Sequence, residues 1–198
     1  MMTPQLDLWR SEFGRAYTDR NDQERPERVG AWRRLLDGLE PIRVCEVGCN
    51  VGWNLEYLRR LGETELYGIE QQPHAVERAR WRGPEFNVMH GTAFDLPFRD
   101  GWFDLAFTSG VLIHISPETL GAALDEIYRV SRTWIVALEY DAPVEHQVAY
   151  RGHEAALWKR DHGAQWRARF PMLRELRRIE LGAADGYDNC TAHLFEKP

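Results

Sequence analysis

The stretch Glu46-Val47-Gly48-Cys49-Asn50-Val51-Gly52-Trp53-Asn54 decides the fold. It follows a short β-branched run, Ile42 to Val47, and leads into Leu55, Leu58 and Leu61 at helical spacing with Gly62 as a C-cap. A strand, a glycine-rich turn and a helix in that order let backbone pass close to a ligand, and the first amides of the helix face what is bound.

Outward from this turn the chain alternates. Strands are predicted at 65–70, 86–90, 103–107 and 133–139, and helices at Pro73–Trp81 and after Ser116-Pro117-Glu118, which has N-cap chemistry. Strands alternating with helices predict an α/β fold whose parallel sheet is covered on both faces. Residues 176–181 and 191–196, joined by a Gly/Asp/Asn-rich loop with no helix, predict a hairpin and so an antiparallel strand. A helical head precedes the sheet. Leu6, Trp9, Phe13 and Tyr17 share one helical face, Thr18–Asp22 interrupts it, and a second helix follows Pro26.

The 198 residues suit one domain. Lys and Arg number 25 against 31 Asp and Glu, a net charge of −6, which makes for a poor generic binder of nucleic acid. No apolar run reaches the ~20 residues of a membrane span, and Met1 to Asp7 has no leader pattern. Cys45, Cys49 and Cys190 show no disulfide or metal spacing, so reduced thiols and a cytoplasmic location are expected.

Two cofactors use such a turn. A dinucleotide fingerprint places Gly where this chain has Asn50 and Trp53, and a bulky Trp suits neither close helix packing nor a pyrophosphate. The S-adenosylmethionine (SAM) pattern, an acid followed by spaced glycines, matches at Glu46, Gly48 and Gly52 and departs at Asn50, a residue that tolerates left-handed backbone. Glu70, ending the second strand, suits the ribose of either cofactor.

Together with Gly91–Phe98 and Phe103–Ile115, these residues resemble the class I SAM-dependent methyltransferases. The resemblance spans about Ile42 to Glu196. It implies a seven-stranded Rossmann-like methyltransferase sheet, mostly parallel with one antiparallel terminal strand, and helices on both faces. It implies one domain, 1–198, with a head over 1–40, a SAM-binding core over 41–198 and a substrate-lid insertion at 143–175. Trp9, Glu12-Phe13-Gly14, Tyr17, Arg20-Asn21 and Tyr150-Arg151-Gly152-His153 further resemble methylases associated with pseudaminic acid and related surface sugars.

By position the resemblance implies that Gly48, Asn50 and Gly52 pass along SAM, that Glu46 sits near its amino end and that Glu70 meets its ribose. Thr92, Ala93 and Phe94 would meet the adenine, and Thr108 the methionine part. Tyr17 and Arg20 would close over the site, or else Arg20 and Asn21 form a solvated turn. His114, then His153, are the candidate general bases; a carboxylate or phosphonate acceptor needs none. Tyr140 stands at the pocket rim, and Tyr150, Arg151, Lys159 and Arg160 are candidate substrate contacts. Residues 151–178 are locally basic, and Trp158, His162, Trp166 and Phe170 fall at four-residue steps. They read as a cationic helical lid for a small anionic acceptor or as a solvated helix packing its aromatics. No metal site is expected. The leading reading is SAM-dependent O-methylation of a sugar nucleotide, carboxylate or phosphonate. The alternatives are an RNA or protein methyltransferase and a non-catalytic SAM-binding partner. A nicotinamide oxidoreductase ranks lower.

Overall fold

A computed structural model describes residues 3–62 and 65–198. Met1 and Met2, which begin the leader reading, lie outside those residues, as do Glu63 and Thr64.

The head is α1 (Pro4–Arg10), α2 (Glu12–Asn21) and α3 (Arg28–Leu35). The sheet is built from β1 (Arg43–Val47), β2 (Glu65–Glu70), β3 (Asn87–His90), β4 (Phe103–Ser109), β5 (Ser131–Glu139), β8 (Arg174–Leu181) and β9 (Cys190–Glu196). Helices α4 (Trp53–Leu61), α5 (Pro73–Arg82), α6 (Pro117–Val130) and α7 (His162–Arg169) cover it, and β6 (His146–Tyr150) with β7 (His153–Lys159) forms a separate hairpin.

The strand order is β3-β2-β1-β4-β5-β9-β8. β1 to β5 pair in parallel, and β9 lies antiparallel between β5 and β8, as the sequence leads one to expect. The order reverses between β1 and β4. That crevice, at the carboxyl ends of the strands, is where open α/β sheets bind ligands.

Side chains alternate across the sheet. Val44, Leu105, Phe107 and Leu194 pack beneath α3, α4 and α5, whereas Cys45, Ala106, Ile135 and Phe195 pack beneath α6 and α7. Helices therefore cover both faces. Trp32 of α3 meets Phe107 edge to face at 4.7 Å, which fixes the head on the sheet. Each large apolar side chain so buried stabilises the fold by about 1.5–3 kcal/mol.

The head differs from its sequence reading. Leu6 to Tyr17 are not one helix, because Ser11 ends α1 and starts α2. Its N–H reaches Asp7 O at 3.1 Å and its hydroxyl accepts from Phe13 N at 3.2 Å. The second helix folds back so closely that a Cβ at Gly14 would sit 1.8 Å from Trp9 O. Thr18 to Asn21 continue α2, so Arg20 and Asn21 are helical and not part of a turn.

The four-residue aromatic steps also divide. Trp158 lies on β7 and only His162 and Trp166 lie on α7. Arg151 (φ 50) and Gly152 (φ 85) both have left-handed backbone, the requirement of a tight hairpin turn, and Tyr150 pairs with His153 across it. Ser116 caps α6 with extended backbone, but its hydroxyl meets Thr119 Oγ1 and caps no amide.

Candidate active site

The glycine-rich turn follows from its backbone. Gly48 and Gly52 have φ 81 and Asn50 has φ 46, so the departure at Asn50 is met by its tolerance of left-handed backbone. Gly48 N and Cys49 N both donate to Ile69 O, at 2.7 and 3.0 Å, tying the turn to β2. A Cβ at Gly48 would lie 2.4 Å from Val111 Cγ2. Gly48→Ala therefore combines left-handed strain of about 1–2 kcal/mol with overpacking of about 1–3 kcal/mol. Thermal unfolding is expected to drop by roughly 5–15 °C; an unchanged melting temperature contradicts this account of the turn.

Trp53 has a structural explanation. Its indole N–H donates to Asp22 Oδ1 at 3.0 Å, its ring stacks on Tyr57, and the Arg82 guanidinium lies 3.7 Å above it. Asp22 also pairs with Arg78 and Arg82. The Trp clasps the end of α2 against the turn, a role glycine cannot fill.

These elements enclose a cavity of about 720 Å³ at the crevice. Two carboxylates line its glycine-turn side. Glu70 Oε2 accepts from Asn50 N at 2.9 Å and Oε1 from Gln72 N at 2.8 Å. Burial raises its pKa and those amides pull it back. Glu46 Oε1 accepts from Asn54 Nδ2 at 2.7 Å, and Trp32 Nε1 in turn donates to Asn54 Oδ1 at 3.3 Å. Glu46 Oε2 is buried with no partner among the described residues, and burial pushes this carboxyl up to about 8. A buried orphan acceptor of this kind fits an ammonium group.

The opposite side is aromatic and cationic. His114 follows β4 on a single 3-10 turn, Leu112–His114, held by Glu139. The Glu139 carboxylate accepts from the amides of Val111 and Leu112 at 3.2 Å and Ile113 at 3.4 Å, and burial pushes it up to about 7. His114 Nδ1 lies 2.7 Å from Ala156 O on β7. A carbonyl only accepts, so Nδ1 carries the proton and Nε2 keeps its lone pair. Burial pushes this imidazole down to about 4, so it is neutral at pH 7. Trp9 packs on it at 4.4 Å and Tyr150 at 5.5 Å. Burial, with Tyr150 and Glu70 nearby, pushes Tyr17 up to about 12.

The cavity brings together most of the residues singled out by sequence. Tyr17, Arg20, Glu46, Gly48, Asn50, Glu70, Thr92, Ala93, Phe94, His114, Tyr140, Tyr150, Arg151 and Lys159 line it. Gly52 shapes the turn from behind. Three lie elsewhere. Thr108 is 1% exposed inside β4, and Ser109 and Gly110 line the wall in its place. His153 is exposed off the cavity, its ring against Phe13 at 4.7 Å. Arg160 is fully buried, donating to Ile115 O at 3.0 Å and pairing with Glu145 at 3.1 Å. The basic segment is not a cationic helix. Arg167, Arg169 and Arg174 pair with Glu175, Asp125 and Glu196, and Arg177 donates to Leu35 O. Sequence reasoning expected a lid at 143–175 but missed the β6–β7 hairpin within it; Arg151-Gly152, an X-Gly turn signal, marks it. It also missed the clasp at Asp22. Among the described residues no cluster of metal ligands occurs and no helix is long and apolar enough to cross a membrane.

A family model described as a methyltransferase domain matches residues 45–133. An uncharacterized methyltransferase of Synechocystis is 34% identical over 88 residues, 44% of this chain and 41% of that protein. An O-methyltransferase of Aspergillus nomiae is 29% identical over 130 residues, 60% of this chain and 57% of that one. The aligned stretches thus span about half of these relatives. The Burkholderia thailandensis 1,6-didemethyltoxoflavin-N1-methyltransferase, solved with bound 1,6-didemethyltoxoflavin and S-adenosylhomocysteine, superposes with a TM-score of 0.76 at 16% identity, covering 100% of this chain and 91% of that one. Residues 45–133 are thus similar to a methyltransferase domain, and the sheet around them has a Rossmann-like fold shared with the solved methyltransferase.

Proposed function

We propose that this chain is a SAM-dependent methyltransferase for a small anionic acceptor, most simply an O-methyltransferase. The observation that carries the reading is the cavity, with the orphan carboxylate oxygen of Glu46 at the glycine turn and the neutral His114 imidazole across from it. Glu46 would hold the amino group of SAM, Glu70 its ribose hydroxyls, and Thr92, Ala93 and Phe94 its adenine. When bound, SAM supplies a methyl group on a sulfonium, open to in-line displacement. The chain's own work is to orient the acceptor oxygen and exclude water. The head and the β6–β7 hairpin do the latter by closing the cavity, which is the lid role proposed for 143–175.

For a hydroxyl acceptor, His114 Nε2 takes the proton; a carboxylate or phosphonate needs none. Arg151 and Lys159 would hold the acceptor's negative charge. They line the cavity beside the Tyr150 and Tyr140 rings with no acidic partner among the described residues, whereas Arg160, Arg167, Arg169 and Arg174 are paired within the fold. That internal pairing removes the support for an RNA-docking surface. The resemblance to surface-sugar methylases, and the O-methyltransferase among the relatives, keep sugar nucleotides and small acids as the acceptors to test. Titration calorimetry tests the cofactor. SAM and S-adenosylhomocysteine are expected to bind and NADH is not; NADH binding without SAM binding overturns the reading.

A further inference from the structure

A second buried polar group lies beneath α7, apart from the glycine turn. His193 on β9 is 1% exposed, with Nδ1 2.6 Å from Glu175 Oε1 and Nε2 2.7 Å from Asp141 Oδ2. An ionised carboxylate only accepts, and a neutral imidazole has one N–H. A neutral ring would satisfy one carboxylate and turn a buried lone pair on the other. An imidazolium satisfies both.

The neighbouring charges agree. Arg167 of α7 pairs with Glu175. His162 of α7 is pushed down to about 3, by burial first, and adds no charge. Arg178 stands opposite His193 on β8 and is exposed.

Asp141 is also the root of the hairpin. Its Oδ1 accepts from His162 N at 3.4 Å, and the next residue, Ala142, donates to Arg160 O at 3.1 Å where the hairpin returns. Between these points the hairpin carries Tyr150 and Lys159 on the cavity wall, and Ala156 O, which orients His114.

We propose that His193 is a positioning residue: held as an imidazolium between Asp141 and Glu175, it locks the root of the β6–β7 hairpin to the sheet and so fixes the acceptor wall. The effect on acceptor binding rests on the function proposed above; the clamp itself does not.

The sign of the pH dependence follows. Burial lowers the pKa of His193, but its bonds to Asp141 and Glu175 outweigh that and raise it above 6.5. The clamp's contribution is then complete below about pH 6.5 and is lost as pH rises through the raised folded value. In that window opening of the root increases about tenfold per pH unit, the slope of one proton, and levels off beyond it.

Hydrogen exchange on the full chain across this range, corrected for intrinsic base catalysis, tests the clamp. Peptides from 142–160 are expected to show the stepped rise, and peptides from β1 none. Glu175→Gln, at a half-exposed position, should fold and move the step to lower pH; His193→Gln should abolish it. The acceptor KM should rise with the step while SAM affinity holds. A wild-type profile without a step, or a step unmoved in Glu175→Gln, overturns the clamp. A step with no methyl transfer to any acceptor overturns the proposed function and leaves the clamp standing.

Discussion

In His114→Asn, turnover of a hydroxyl acceptor falls by roughly 10²–10⁴-fold while SAM affinity holds, the range for losing a positioned general base. The Asn amide can still donate to Ala156 O, as Nδ1 does now at 2.7 Å. The lone pair at Nε2 has no counterpart in Asn. Loss of turnover with an intact hairpin therefore isolates the proton acceptor from the scaffold. The pH profile gives a second reading. Because burial pushes His114 down to about 4, the base form persists across neutral pH, and the rate should fall only as pH drops toward that value. Steady-state kinetics with calorimetric SAM binding decide the matter. Wild-type turnover in the variant takes His114 out of the mechanism and points to an acceptor that is already ionised.

The second large effect is expected at Glu70. Its two oxygens hold the amides of Asn50, in the turn after β1, and Gln72, just after β2. Glu70→Ala leaves both amides unpaired, at about 1–3 kcal/mol each where they are buried, and removes the acceptor for the ribose. SAM affinity should fall by about 100-fold, equivalent to about 2.7 kcal/mol. Glu70→Gln keeps one accepting oxygen and should lose less. Calorimetry on both variants, with melting temperatures to register loss of the turn itself, checks the ranking. Wild-type affinity in Glu70→Ala removes Glu70 from the cofactor site.

Much of this architecture was legible in the chain. The glycine turn, its two acids, the alternation of strands and helices and the final hairpin are local signals of period and turn chemistry, and they place the sheet and one wall of the cavity. What the chain hid lies in tertiary contacts. The resemblance put Thr108 at the methionine part of SAM, but the pleat of β4 turns Thr108 inward and leaves Ser109 on the cavity wall. Arg160 read as one of a row of cations; only the fold shows that Glu145 and Ile115 O hold it within the protein. Trp158 fell in a helical pattern by coincidence, since four-residue spacing is also an even spacing and suits one face of a strand. Trp53 looked like a defect in a glycine motif until Asp22, 31 residues earlier, was seen to accept its N–H.

The most direct test is transfer itself. The protein would be incubated with methyl-labelled SAM, a cell extract and a panel of sugar nucleotides and small acids, and the products separated by size. The cavity at the sheet's crevice, with Arg151 and Lys159 on its wall, predicts label in the low-mass fraction, where mass analysis identifies the acceptor. Label confined to RNA or protein, or no transfer from SAM, would contradict the proposed function.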